Sequence, residues 1–133
     1  MANAVYRNGL VNFADGDINW TSHDIRVDAR QTTAFTATHE FRSQLAATLR
    51  GTATLTGKSA AGGALFAADT VITPSAAGTV NRLVLYRWTG SDATSPLIAW
   101  YDTWFDGSPI NFSLTAAGVT IHWPRWKNGI FKL

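Results

Sequence analysis

The sequence predicts an all-β fold, a jelly-roll-like β-sandwich with a short N-terminal helix. Residues 82–88 and 97–105 alternate with a period of two, which is typical of strands. Short apolar runs recur about 8–15 residues apart, as in sandwiches and jelly rolls. Helix-favouring surface residues are scarce, with a single Glu and three Lys.

Composition favours one domain over residues 1–133. The chain contains no cysteine, so it has neither disulfides nor thiolate metal ligands. We expect no membrane span, because no apolar run approaches about 20 residues, and no signal peptide. The formal charge is +2, and the basic residues form no cluster of the kind that binds nucleic acid.

The first half of the chain contains all the predicted helix. Val5, Tyr6, Leu10 and Phe13 favour a short amphipathic helix over residues 3–14, interrupted by Gly9. Residues 18–20 favour a short strand. Residues 24–28 alternate polar and apolar side chains, which predicts a half-exposed strand near a sheet edge.

The segments from residue 30 to residue 79 give weaker signals. We expect a loop over residues 30–38, and a helical turn over 38–49 because apolar residues recur every fourth position. Residues 49–52 could instead begin a strand. The remaining predictions are a Thr-rich β segment, a flexible turn and a short strand, at 51–57, 58–63 and 66–74 respectively.

The stretch from Val80 to Trp123 is the predicted centre of the fold. Both faces of its first strand are largely apolar, so we expect that strand to be covered on both sides or to lie at an interface. A Gly-Ser-Asp loop closed by Pro96 suits a hairpin connection to the second strand. Pro124 should end the last long strand, and an Asn-Gly turn should precede a short apolar terminal strand.

The residues that carry enzymatic chemistry form no recognisable pattern. The three histidines, at positions 23, 39 and 122, lie far apart, and His122 is best interpreted as a surface residue. Asp102 has no second acid nearby to complete a general acid–base pair. We therefore expect no enzymatic activity, no metal and no cofactor.

Aromatic and basic residues near the C-terminus suggest a partner-binding surface. Trp100 and Trp123 are more typical of a core, whereas Trp104 and Trp126 flank loops. No acidic residue follows Asp106, which suits either an exposed basic tail or contact with an acidic partner. The candidate partner-binding residues are Trp104, Trp126, Arg125, Lys127, Ile130 and Phe131.

Several stretches resemble a family of small virion proteins of tailed bacteriophages, described as capsid cement or decoration proteins. The strongest are RLVLY at 82–86, ATSPLIAWYDT at 93–103 and NGIFKL at 128–133. GDINW, ATHEF, LTGK and LFAADTVIT fit the family in the expected order, at 16–20, 37–41, 55–58 and 65–73 respectively. The tryptophans and the WPRW stretch at 123–126 depart from its pattern.

The resemblance implies a structural protein that binds the outer face of the capsid lattice. Its expected partner is the major capsid protein, and its expected state on the capsid is a dimer or trimer. The protein would be made in the host cytoplasm and located on the virion surface. Two alternatives stay open: a tail or neck component of the same fold, and a carbohydrate-binding module for host recognition. Glycan binding is not expected as the main function.

Overall fold

The computed structural model describes residues 3–45, 48–125 and 129–132, which fold into an antiparallel, mostly β structure. One α-helix, α1 (Arg7–Asp15), and two 3₁₀ turns (Arg42–Gln44 and Asp92–Thr94) accompany the strands. In chain order the strands are β1 (Ala4–Val5), β2 (Ile25–Gln31), β3 (Thr48–Thr54), β4 (Ser59–Ala61), β5 (Ala64–Phe66), β6 (Thr70–Pro74), β7 (Gly78–Val80), β8 (Arg82–Arg87), β9 (Leu97–Tyr101), β10 (Phe112–Leu114), β11 (Val119–Ile121) and β12 (Phe131–Lys132).

Three sheets form a sandwich-like arrangement. The largest has seven strands in the order β1-β9-β8-β2-β3-β6-β11. A two-stranded sheet, β10-β7, and a three-stranded sheet, β12-β5-β4, accompany it. Strands make up 43% of the structure and helix 12%, so the prediction of a mostly β fold with a short N-terminal helix is confirmed.

The hairpin of β8 and β9 has both faces covered, as its apolar alternation predicts. Leu83 and Leu85 face the main core, whereas Val84 and Tyr86 belong to a second core on the other face of the sheet. Neighbouring residues of a strand point to opposite faces, so one strand serves both cores. Trp100 of β9 joins the second core, where Phe35 packs against its ring at 5.8 Å.

Trp100 and Trp123 are core residues, as the sequence predicts, and each is 2% exposed. A buried indole needs an acceptor for its N–H. Trp100 Nε1 donates to the carbonyl oxygen of Thr33 at 2.9 Å, and Trp123 Nε1 donates to Thr70 Oγ1 at 2.9 Å. Each tryptophan therefore ties a loop or a neighbouring strand to the core.

Helix α1 lies directly on β9 because its contact residue is a glycine. The helix continues through Gly9, which corrects the expectation that this residue interrupts it. A Cβ atom at Gly9 would lie 2.8 Å from the carbonyl oxygen of Leu97 and 3.1 Å from the Cα of Ile98. Both neighbours are backbone atoms, so only glycine permits this approach.

Replacing Gly9 with alanine is expected to destabilise the protein by about 1–3 kcal/mol. Alanine favours a helix by about 1 kcal/mol over glycine, but the methyl group would push α1 away from β9. Chemical denaturation of the variant measures the net change. Val11→Ala is the matched control, because Val11 is 49% exposed on the same helix. A Gly9→Ala variant as stable as the wild type would contradict the close packing.

The strand at residues 25–31 is central, which corrects two expectations. The predicted exposed edge strand at 24–28 is β2, and it pairs with β8 on one side and β3 on the other. The predicted loop at 30–38 begins late, because β2 continues to Gln31. Asp28, in the middle of β2, is fully buried. Because a charged residue in a strand is typical of a solvent-exposed face, its presence led to the expectation of a half-exposed strand.

A buried ion network on the second face of the main sheet surrounds Asp28. Its carboxylate lies 2.8 Å from Arg30 Nη2, and it accepts a hydrogen bond from Arg42 Nε at 2.9 Å. Thr52 Oγ1 donates a third hydrogen bond at 2.7 Å. Burial opposes the charge of Arg42, but hydrogen bonding and ion pairing with Asp28 outweigh it and raise the Arg42 pKa.

Aromatic rings complete this network. The guanidinium carbon of Arg42 lies 4.7 Å from the ring centroid of Tyr86, within cation–π range. Arg42 also contacts Asp92 in the second 3₁₀ turn. The network therefore joins the centre of the sheet to both 3₁₀ turns.

Five weaker sequence predictions need correction. The helical turn over 38–49 is reduced to the 3₁₀ turn at Arg42–Gln44, and Leu49 lies in β3. Residues 18–20 form no strand, although Ile18 and Trp20 are buried. The flexible turn at 58–63 contains β4, and the strand at 66–74 is the end of β5 followed by β6. β11 ends at Ile121, before Pro124.

The terminal strand β12 lies inside the fold. It pairs with β5, with Phe131 opposite Leu65. The Phe131 ring packs edge-on against Trp20, with the centroids 5.7 Å apart, and lies 5.9 Å from Phe13 of α1. β12 therefore closes the main core beside the N-terminal helix.

Candidate functional site

A cavity of about 820 Å³ opens where the loop after β9 meets the end of β11 and the residues that precede β12. This volume lies within the range of ligand sites in proteins. Aromatic side chains and charged side chains both line the cavity. Its described lining residues are Asp69, Trp104, Phe105, Asp106, His122, Trp123, Pro124, Arg125, Gly129 and Ile130.

Three aromatic rings supply the apolar side of the cavity. Trp104 is half-buried and stacks on Phe112, with the centroids 5.9 Å apart and the planes at 25°. Phe105 is 39% exposed, and its ring lies 6.0 Å from that of the buried Trp123. The cavity therefore presents partly exposed aromatic rings that pack against buried side chains of the core.

Strand pairing creates the charged cluster of Asp69, His122 and Arg125. Thr70 lies opposite Ile121 in the β6–β11 pair, which places Asp69 beside His122. His122 Nδ1 lies 2.9 Å from Asp69 Oδ2, and Arg125 Nη2 lies 3.0 Å from Asp69 Oδ1. The hydrogen bond with His122 is the main reason that the pKa of Asp69 lies below its usual value. Asp69 therefore stays ionised near neutral pH.

A tight turn holds Phe105 and Asp106 at the rim. Trp104 N donates to the carbonyl oxygen of Ser108 at 2.7 Å, and Gly107 N donates to that of Trp104 at 3.0 Å. Gly107 has a φ of 92°, a conformation that favours glycine. Asp106 Oδ1 accepts hydrogen bonds from Ser108 N and Oγ, which lower the Asp106 pKa.

The cavity brings together three of the six predicted partner-binding residues, namely Trp104, Arg125 and Ile130. Arg125 is well exposed, whereas Ile130 is only 3% exposed and forms part of the cavity floor. Phe131 lies in the core, so its side chain is not on the surface of this chain. Trp126 and Lys127 lie outside the described residues.

Seven of the ten described lining residues were not among the predicted site residues: Asp69, Phe105, Asp106, His122, Trp123, Pro124 and Gly129. Asp69 and His122 meet only because β6 pairs with β11, and no local pattern in the sequence encodes that pairing. Phe105 has the parity of an apolar strand residue, which favours a buried position. Its exposure follows from the turn at Asp106-Gly107, where the strand has already ended.

A smaller groove of about 430 Å³ lies on the other side of Arg125. Ser59 and Ala61 of the edge strand β4 line it, together with Phe66, Ala67 and other small residues. Arg125 borders both the cavity and the groove, and its guanidinium is exposed.

Residues 3–45, 48–125 and 129–132 contain no group of three His, Asp or Glu side chains placed to hold a metal ion. Among the described helices, none combines the length and apolarity needed to cross a bilayer.

Comparison with known proteins identifies no relative. No protein-family model matches the chain, and neither the curated proteins nor the solved structures contain a match.

Proposed function

We propose that this chain is a structural protein of a tailed bacteriophage that binds the outer face of the capsid. In this proposal it has no enzymatic role and acts as a cement or decoration protein on the lattice of the major capsid protein. Binding to the assembled lattice, and not to free subunits, stabilises the shell through the binding free energy of many copies.

One observation carries the proposal: residues distant in sequence converge on one open cavity. Trp104, Arg125 and Ile130 are predicted partner-binding residues, and all three line it. Exposed apolar surface beside charged groups is typical of protein contact sites. Trp104 and Arg125 would contact the shell, while Ile130 and Phe131 would support that surface from the core.

The resemblance to cement proteins is the second support. Its strongest stretches, at 82–86 and 93–103, form most of the central hairpin of β8 and β9. The third, at 128–133, contains the terminal strand β12. These segments build the scaffold that holds the cavity, which suits a family that shares a fold and a structural role.

Jelly-roll connectivity and an oligomeric state belong to the same proposal. Strands distant in sequence are neighbours, since β8 pairs with β2 and β11 pairs with β6, as in folds with Greek-key connections. We propose that the chain forms a dimer or trimer on the capsid. Leu10 and Val11 of α1, both more than 40% exposed, would supply apolar surface for that contact.

Co-sedimentation with capsids that lack this protein tests the function. Wild-type protein is expected to pellet with the capsids in a saturable manner and to raise their melting temperature. Phe105→Ser is expected to weaken binding by about tenfold, because it removes exposed apolar surface from the rim.

Val71→Ser is the matched control for Phe105→Ser. Val71 is 58% exposed and is not among the residues that line the cavity. Its binding should equal that of the wild type. A folded wild-type protein that does not pellet with capsids at saturating concentration would overturn the proposal.

A further inference from the structure

Among the described lining residues of the cavity, carboxylates outnumber guanidinium groups. Asp69 and Asp106 contribute two carboxylates, and Arg125 contributes one guanidinium. Arg125 lies 3.0 Å from Asp69, so this pair is largely self-compensating. The remaining described carboxylate is that of Asp106, which follows the partly exposed Phe105 in the chain.

Asp106 has neutral hydrogen-bond partners only. Ser108 donates to Oδ1 from its backbone N at 2.9 Å and from its hydroxyl at 2.6 Å, and the backbone N–H of Asp106 itself also contacts the carboxylate. Within the described residues no Lys or Arg forms an ion pair with this carboxylate. Oδ2 is therefore left to pair with a cation that arrives from outside the described chain.

Aromatic rings that line the same cavity as a carboxylate with no described cationic partner favour a cation over a neutral or anionic ligand. A cation over a ring face gains about 0.5–2 kcal/mol from the ring quadrupole. A guanidinium fits best, because its planar group stacks on a ring while its N–H groups form paired hydrogen bonds with a carboxylate. Trp104 and Phe105 provide the rings, and Asp106 provides the carboxylate.

We propose that the cavity receives an arginine side chain displayed on the surface of the capsid protein. The inference rests on the proposed function and names the chemistry of the contact. The guanidinium would stack against Trp104 or Phe105 and pair with Asp106. Asp69, already paired with His122 and Arg125, would hold the opposite rim in place.

The probe for this site is N-acetyl-arginine methylamide, titrated into the full-length protein and followed by NMR of the tryptophan indole N–H groups. The matched control ligand is N-acetyl-citrulline methylamide, which has nearly the same shape and no charge. We expect millimolar binding of the arginine probe, with shifts at Trp104, and binding of the citrulline probe weaker by about tenfold.

Variants locate the binding. Asp106→Asn keeps the shape of the side chain and removes the charge, and should weaken arginine binding by about tenfold. Asp15→Asn, an exposed acid at the end of α1, should leave binding unchanged. Equal responses to arginine and citrulline would overturn the inference, as would a stronger response to methyl α-D-glucopyranoside, which would indicate a sugar site.

Capsid co-sedimentation of Asp106→Asn separates this inference from the proposed function. If the variant binds capsids less well than the wild type by about tenfold, the arginine contact is supported. If wild type and variant bind capsids equally, the inference fails and the proposed function stands. If the wild type binds no capsid, the proposed function fails, and the assignment of the arginine to a capsid protein fails with it.

Discussion

Replacing Asp28 with alanine is expected to destabilise the protein by about 3–5 kcal/mol. Asp28 is fully buried and receives hydrogen bonds from Arg42 and Thr52 while paired with Arg30. Its loss would leave two largely buried guanidinium groups without their shared carboxylate. Urea denaturation followed by tryptophan fluorescence measures the change in the free energy of unfolding.

The matched control for Asp28→Ala is Asp92→Ala. Asp92 also pairs with Arg42, but its side chain is 54% exposed, so the pair is screened by solvent. We expect a loss below about 1 kcal/mol for this control. If the two variants lose the same stability, the claim that the buried Asp28 carboxylate contributes more to the stability of the fold than the exposed Asp92 carboxylate is wrong.

Replacing Phe131 with alanine is expected to cost about 3–5 kcal/mol as well. The Phe131 ring is only 8% exposed and packs against Trp20 and Phe13, so its removal leaves a cavity in the main core. Deleting residues 127–133 should destabilise the protein at least as much, because β12 would be lost. Thermal and urea denaturation of both variants provide the measurement.

Lys132→Ala is the control for Phe131→Ala, since Lys132 lies in the same strand with an exposed side chain. A change within about 0.5 kcal/mol is expected for it. If the deletion variant instead folds with wild-type stability and loses only capsid binding, then β12 is a docking element and does not belong to the core.

The central hairpin could be predicted because its signals are local. In residues 82–87 and 97–101, apolar side chains occupy both odd and even positions, so both faces of each strand are apolar. This pattern is typical of strands that are covered on both faces. Trp100 and Trp123 were predicted as core residues on the same basis. The short helix was predicted from the spacing of its apolar residues.

The position of β2 could not be predicted because its polar residues are satisfied by distant partners. Asp28 and Arg30 in a strand are typical of a solvent-facing side, unless a buried ion pair neutralises them. Arg42 completes the pair from a 3₁₀ turn in a different segment. Alternation predicts which residues share a face, but it does not predict whether that face is covered.

The candidate site was predictable in part, for a similar reason. Trp104 and Arg125 stand out in the sequence as an aromatic beside a loop and a basic residue in an acid-free segment. Asp69 and His122 acquire their role through the pairing of β6 with β11, a long-range contact without a local signature. Ile130 and Phe131 are apolar in a basic segment, which suits a docking surface and a core strand equally well.

Electron cryomicroscopy of the intact phage particle tests the central proposal most directly. The proposal predicts density that fits the seven-stranded sheet and α1, repeated over the outer face of the capsid lattice as dimers or trimers. In that density the rim formed by Trp104, Phe105 and Asp106 should face the major capsid protein. Density for this fold at the neck or tail alone, or its absence from the particle, would contradict the proposal.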